Sequence, residues 1–194
     1  RVEFECVDYR KYTLDKHNHV DDTPCGGGAG MLLMVQPIVD CLKDIKTENS
    51  HVVLMCPQGK TFKQAMAREY VRTYDHIILI CGHYEGFDER IRTLVDAEVS
   101  IGDFVLTGGE LPSMVLCDSV VRLIDGVIKK ESYQNDSFEN NLLDYPVYTK
   151  PVDFEGMKVP EVLLSGHHEN IRKWRLDEQI KRTKERRPDL LEKR

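Results

Sequence analysis

Residues 51 to 81 read HVVLMCPQGKTFKQAMAREYVRTYDHIILIC. Two short runs rich in β-branched and other apolar residues, HVVLMC (51–56) and HIILIC (76–81), bracket a stretch from Phe62 to Thr73 with apolar residues at helical spacing. Strand, helix, strand in that order is a βαβ unit. Because both runs are apolar on successive residues rather than on alternate ones, each strand is expected to be covered on both faces, as parallel strands are. The predicted class is therefore α/β with a parallel sheet.

Upstream of this unit, Gln36 to Ile45 carries helical periodicity with Pro37 in the first turn, where its missing N–H costs nothing. VEFECV (2–7) alternates apolar and polar residues and predicts a half-buried strand. A polar stretch, 8–22, separates it from the glycine cluster TPCGGGAGM. Downstream, Glu110 to Ile124 predicts an amphipathic helix with Pro112 in its first turn and apolar residues at Leu111, Val115, Leu116, Val120, Leu123 and Ile124. The text from 125 to about 150 is polar and irregular, and reads as a linker. Gly166 to Arg186 is mostly helical in pattern and belongs to a smaller second unit that begins near Val159. The expected division is 1–126, a linker 127–158, and 159–194.

The chain has 194 residues, 41% of them hydrophobic and 31% charged, enough for a real core and unlike a disordered or fibrous protein. No apolar run approaches the about 18 residues of a membrane helix, and the opening RVEFECVDYR is too charged for a signal peptide. Six scattered cysteines form no C-x-x-C pair and no zinc-ligand spacing, so they read as reduced thiols of a cytoplasmic protein without a metal site. The net charge of −6 hides an asymmetry: residues 171–194 hold ten basic and five acidic side chains, against 17 and 28 in residues 1–170. A basic C-terminal segment on an acidic body suits a polyanion partner, although a solvated charged helix has the same composition.

Two generic phosphate motifs fail on spacing. Met31 stands where the last glycine of G-x-G-x-x-G belongs, and Leu54 where the first glycine of a P-loop ending in Gly59 belongs. The cluster including Gly27 and Gly28 still offers backbone that a flat ligand can approach closely, or simply a flexible loop. Three other glycine-bearing loops each follow a strand: PQG (57–59), CGHYEGFDER (81–90) and SIGDFVLTGGELP (100–112). Open α/β sheets place ligands at the carboxyl ends of their strands, so these loops predict one shared pocket.

The blocks DDTPCGGGAGM, PQGK, CGHYEGFDER, SIGDFVLTGGELP, DSVVRL, DSF, YTKP and LLSGHHENIRKWR follow one another along nearly the whole chain. In this order they resemble the bacterial tRNA (guanine-N1)-methyltransferases of the trefoil-knot (SPOUT) superfamily. The resemblance implies a parallel α/β sheet with a C-terminal trefoil knot, followed by a small helical domain, working as a homodimer with each active site across the interface. It implies transfer of a methyl group from S-adenosyl-L-methionine to N1 of the guanosine 3′ to the tRNA anticodon. The methyl donor would be held by Pro57, Gly59, Gly82, Tyr84, Glu85, Gly86, Ile101, Gly102, Phe104, Leu106, Gly108, Gly109 and Pro112. Glu85 would oppose the donor's positive charge, or else only stabilise its loop.

Guanine N1 carries a proton and needs a positioned base before it can attack. The family's base falls at Asp136 in DSF, within the linker, and its arginine at Arg122 in DSVVRL, suited to negative charge growing on guanine O6. RNA contacts would come from Gly27, Gly28, His167, Arg172 and Arg175, with His168, Lys181 and Arg182 nearby; Trp174 is either a stacking platform or core. Against the family pattern, Cys25 replaces an aromatic residue, Asp125 a proline and Lys150 an arginine. The family's first strand and helix are also absent before Arg1, and the C-terminal domain reads as incomplete. Two alternatives stay open: a knot methyltransferase with another RNA target, and a non-catalytic RNA-binding relative. Dependence on a divalent ion is not legible.

Overall fold

The two apolar runs at 51–56 and 76–81 lie side by side as parallel strands, in register from His51↔Ile77 to Met55↔Cys81. This computed structural model describes residues 2–133 and 136–192. They form two compact units, Arg1–Ile128 and Lys129–Arg194. In the first, β1 (Asp21–Asp22) pairs antiparallel with β2 (Leu32–Leu33). Helix α1 (Val35–Ile45) then leads to β3 (Ser50–Thr61), α2 (Gln64–Thr73), β4 (His76–Cys81), a 3-10 turn Glu89–Leu94, β5 (Ala97–Ser100) and α3 (Glu110–Val121).

The main sheet has the order β4-β3-β5, all parallel. Strand alternation divides its core. Val52, Leu54, Cys56, Ile78 and Ile80 face one way and cluster with Ile38 and Leu42 of α1, Leu33, Val20 and Ile91. Val53, Met55 and Cys81 face the other way, where the Cys81 thiol meets the Ser113 hydroxyl of α3 at 3.2 Å. Both faces are covered, which is why the runs contain no polar alternation.

Two sequence expectations change here. Residues 2–7 form no strand: alternation supplies two faces but no ladder partner, and Val2 and Phe4 stay exposed. Helix α3 is apolar nearly all round rather than amphipathic. It buries Pro112, Leu116 and Val120 but leaves Leu111, Met114 and Val115 exposed.

In the second unit a hairpin of β6 (Asp153–Phe154) and β7 (Met157–Lys158) precedes α4 (Glu161–Leu164) and α5 (His168–Arg186). Glu155 and Gly156 both have positive φ, as a two-residue type I′ hairpin turn requires. Residues 129–158, polar in sequence, cluster with these helices. The Leu143 N–H donates to the Thr183 hydroxyl of α5 at 2.9 Å, and Thr183 is fully buried.

Candidate active site

The chain passes from β3 to β4 on one side of β3 and then crosses to β5 on the other, so the loops leaving β3 and β4 go to opposite faces of the sheet. At that place the carboxyl ends of all three strands surround a cleft of about 390 Å³.

The first wall is a bulge in β3. Val99 of β5 pairs with Met55 and again with Lys60, so residues 56–59 loop out of the ladder. Gly59 permits the return: a Cβ there would lie 2.4 Å from the Val99 nitrogen. Gly59 does not line the cleft, and its absent side chain serves the approach of β3 to β5.

The bulge is held by Arg92, whose side chain is only 17% exposed. Its guanidinium donates to Gln58 Oε1 at 2.9 Å and to Glu89 at 2.9 Å, and to the Glu98 carboxylate of β5. It also lies over the Phe87 ring, 5.1 Å from the centroid. The Cys56 thiol donates to the same Glu98 at 3.2 Å. Burial works against the charge of Arg92, but its bonds to Cys56 and Glu89 and the Glu98 field outweigh it and hold its pKa above the ordinary value. Burial, then the hydrogen bond to Glu98, pushes the Cys56 thiol up; burial does the same at Cys81. Both shifts favour the protonated thiol, so neither environment activates these cysteines.

The second wall is the loop after β4. Tyr84 adopts a left-handed backbone (φ 57°) and Gly86 follows at φ 132°. The loop is zipped to the strand β2 region: Glu85 N–H to Met31 O at 3.1 Å, Leu33 N–H to Gly86 O at 2.9 Å, and Asp88 N–H to Leu33 O at 2.9 Å. Gly30 therefore sits against Glu85, whose Cγ would be 2.2 Å from a Cβ at that position. On the same loop Gly27 and Gly28 are also at positive φ; a Cβ on Gly27 would meet nothing within 4 Å, and one on Gly28 would meet Pro24 Cγ at 4.0 Å.

The third wall is 101–109. The Gly109 N–H donates to Gly82 O at 2.8 Å, and a Cβ on Gly109 would meet Cys81 Cα at 2.6 Å. The absence of a side chain at Gly109 is thus demanded by the chain's own backbone, where α3 starts against the end of β4. Next to it His83 hydrogen-bonds to Glu110. Pro57, Gly82, Tyr84, Glu85, Gly86, Ile101, Gly102, Phe104, Leu106, Gly108, Gly109 and Pro112 all line this one cleft. Sequence reasoning missed Gln58, Phe87 and Arg92 among the lining. Nothing local marks Arg92, because its partners come from a bulge, a 3-10 turn and a neighbouring strand.

Arg122 is the C-terminal cap of α3, its N–H donating to Asp118 O at 3.3 Å. Asp136 lies in the second unit, its N–H donating to Tyr133 O at 3.2 Å, with a half-buried side chain. His167 caps the start of α5, Arg172 is exposed, and the Arg175 guanidinium lies over the Tyr145 ring at 4.7 Å. Trp174 is half-buried and tilted against Tyr148, with centroids 6.5 Å apart. No helix among the described residues is long and apolar enough to cross a membrane.

A family model described as tRNA (Guanine-1)-methyltransferase TrmD matches residues 1–193. Three similar proteins carry the name tRNA (guanine-N(1)-)-methyltransferase. One from Ureaplasma urealyticum is 60% identical over 193 residues, covering 100% of this chain and 85% of the relative. One from Mycoplasma capricolum is 53% identical over 191 residues, 98% of this chain and 80% of the relative. One from Halalkalibacterium halodurans is 57% identical over 198 residues, 100% and 80%. With a family model matched almost end to end and identities far above chance, the chain belongs to the tRNA (Guanine-1)-methyltransferase family.

Proposed function

We propose that this protein methylates N1 of the guanosine immediately 3′ of the anticodon in tRNA, using S-adenosyl-L-methionine. The observation that carries the reading is 53–60% identity, across practically the whole chain, to relatives bearing the name of that activity.

The cleft supports the methyl donor. Its volume of about 390 Å³ suits a ligand of this size, within the roughly 300–1,000 Å³ of small-molecule sites. Tyr84, Ile101, Phe104, Leu106 and Pro112 offer apolar walls for a flat ring, the loops offer backbone hydrogen bonds, and Glu85 offers a carboxylate for a cationic group. S-adenosyl-L-methionine, when bound, supplies an electrophilic methyl group. Asp136 takes the N1 proton, and Arg122 opposes the negative charge that grows on guanine O6 as N1 attacks. The methyl group would pass to N1 and leave the donor a neutral thioether, while the proton taken from N1 is held on the Asp136 carboxylate.

Further parts of the reading follow the family. The segment 101–109, which returns to Gly82 at the end of β4, is the threaded part of a trefoil knot. Exposed Leu106, Leu111, Met114 and Val115 give an apolar face for a homodimer that completes each site. Residues 159–194, with the linker 127–158, hold the tRNA, and the enzyme works in the cytoplasm. Mass spectrometry of nuclease-digested tRNA transcript after incubation with protein and donor tests the proposal. It expects 1-methylguanosine in the fragment 3′ to the anticodon; methylation elsewhere, or none, overturns it.

A further inference from the structure

The second unit holds a pocket of about 550 Å³ between the segment 143–148 and one face of α5. Its polar wall is Arg182 and Arg186, and its flat wall is Tyr145, Pro146 and Tyr148. Asp144 stands at the junction, one carboxylate oxygen accepting the Tyr145 N–H at 2.7 Å. The fully buried Thr183, one residue from Arg182, fixes the two walls together. Its hydroxyl donates to Gln179 O at 2.7 Å and accepts the Leu143 N–H at 2.9 Å.

Arg182 and Arg186 are four residues apart, hence neighbours on the helix surface. Two like charges so placed destabilise a helix. Among the described residues neither has an ion pair or a side-chain hydrogen bond, so no direct partner in the unit neutralises either guanidinium. An anion in the pocket would do so. The neighbouring tyrosine already carries one cation, Arg175, 4.7 Å from its ring centroid, and Tyr148 is 49% exposed. Paired free guanidiniums beside flat, partly open rings match the two halves of a nucleotide: phosphate on the arginines, base or ribose on the rings. The carboxylate of Asp144 accepts from a hydroxyl or amino group and repels an acidic peptide.

We propose that this pocket seats one nucleotide of the RNA substrate, with its phosphate on Arg182 and Arg186 and its ring against Tyr145. The inference rests on the tRNA reading above, and adds to it a defined subsite in which charge and stacking are separable.

Binding of the full chain to an unmodified tRNA transcript, followed by fluorescence anisotropy across a salt series, tests it. The double variant Arg182→Gln/Arg186→Gln should reduce the slope of log affinity against log salt by roughly 0.7–0.9 for each phosphate that is no longer neutralised. Tyr145→Leu should weaken binding by roughly 5- to 100-fold and leave that slope unchanged. Calorimetric affinity for S-adenosyl-L-methionine should not move in either. Should the double variant unfold, exposed Arg186→Gln alone carries the slope test. A parent that methylates tRNA while the arginine variants keep its full slope, or while Tyr145→Leu binds normally, overturns the pocket alone. A parent that binds no tRNA overturns the pocket together with the substrate reading.

Discussion

Glycines at two places in the first unit look alike in sequence and differ in what they forbid. At Gly109 a Cβ would press on Cys81 Cα at 2.6 Å and on Gly82 N at 2.7 Å. Gly109→Ala should therefore destabilise the fold by roughly 1–3 kcal/mol or more, as overpacking against fixed backbone does. At Gly27 (φ 85°) a Cβ meets nothing within 4 Å, so Gly27→Ala should cost only about 1–2 kcal/mol of left-handed strain. Thermal unfolding of the two variants checks the order. Asp136→Asn belongs to the same scale but to a different quantity. It should keep the melting temperature and donor affinity while the single-turnover methylation rate at saturating tRNA falls roughly 10²- to 10⁴-fold. A near-normal rate would place the base elsewhere.

At the scale of elements, the βαβ unit is legible because burial on both faces writes itself as uninterrupted apolar residues in 51–56 and 76–81. The strand expected at 2–7 does not form because a period of two says nothing about who supplies the neighbouring ladder. The clamp of Arg92 on Gln58 is illegible, since it joins separate elements through Glu98, six residues beyond it on β5. This clamp predicts a split in kinetics. Arg92→Gln should raise the KM for the methyl donor about 10-fold, the loss of one or two charge-assisted hydrogen bonds, and leave kcat within a few-fold. Steady-state kinetics varying each substrate in turn measures it; a selective fall in kcat would show that the bulge acts on chemistry instead. The loop after β4 carries its own acid sensitivity. The Arg90 guanidinium beside Asp88 holds that carboxyl below its ordinary 3.8. A group depressed in the folded state stabilises above its unfolded pKa and loses that contribution as pH falls through the lowered folded value. Asp88→Asn should therefore lower stability at neutral pH and flatten its decline below about pH 4, as seen in melting temperature against pH.

For the whole molecule, the sharpest difference between text and structure lies in the apolar residues of α3. An amphipathic reading assigns Leu111 and Val115 to a core, yet they remain 60% and 45% exposed beside Met114 at 64%. A sequence pattern records that a residue avoids water without recording whether its own chain or another molecule provides the cover. If a second copy covers them, Met114→Glu should shift the protein to monomers in sedimentation and abolish methylation, because each site is then incomplete.

The third wall of the cleft also has a consequence in time. The sheet is complete at Ser100, but the wall closed by the Gly109 N–H on Gly82 is made by chain synthesised later. The Gly82–Gly109 closure spans less chain than the pairing of Val53 with Ala97, so its lateness follows from the order of synthesis and not from contact distance. A nascent polypeptide emerging from the ribosome thus acquires its sheet before its cleft, and gains a complete binding site only once the start of α3 has docked on β4.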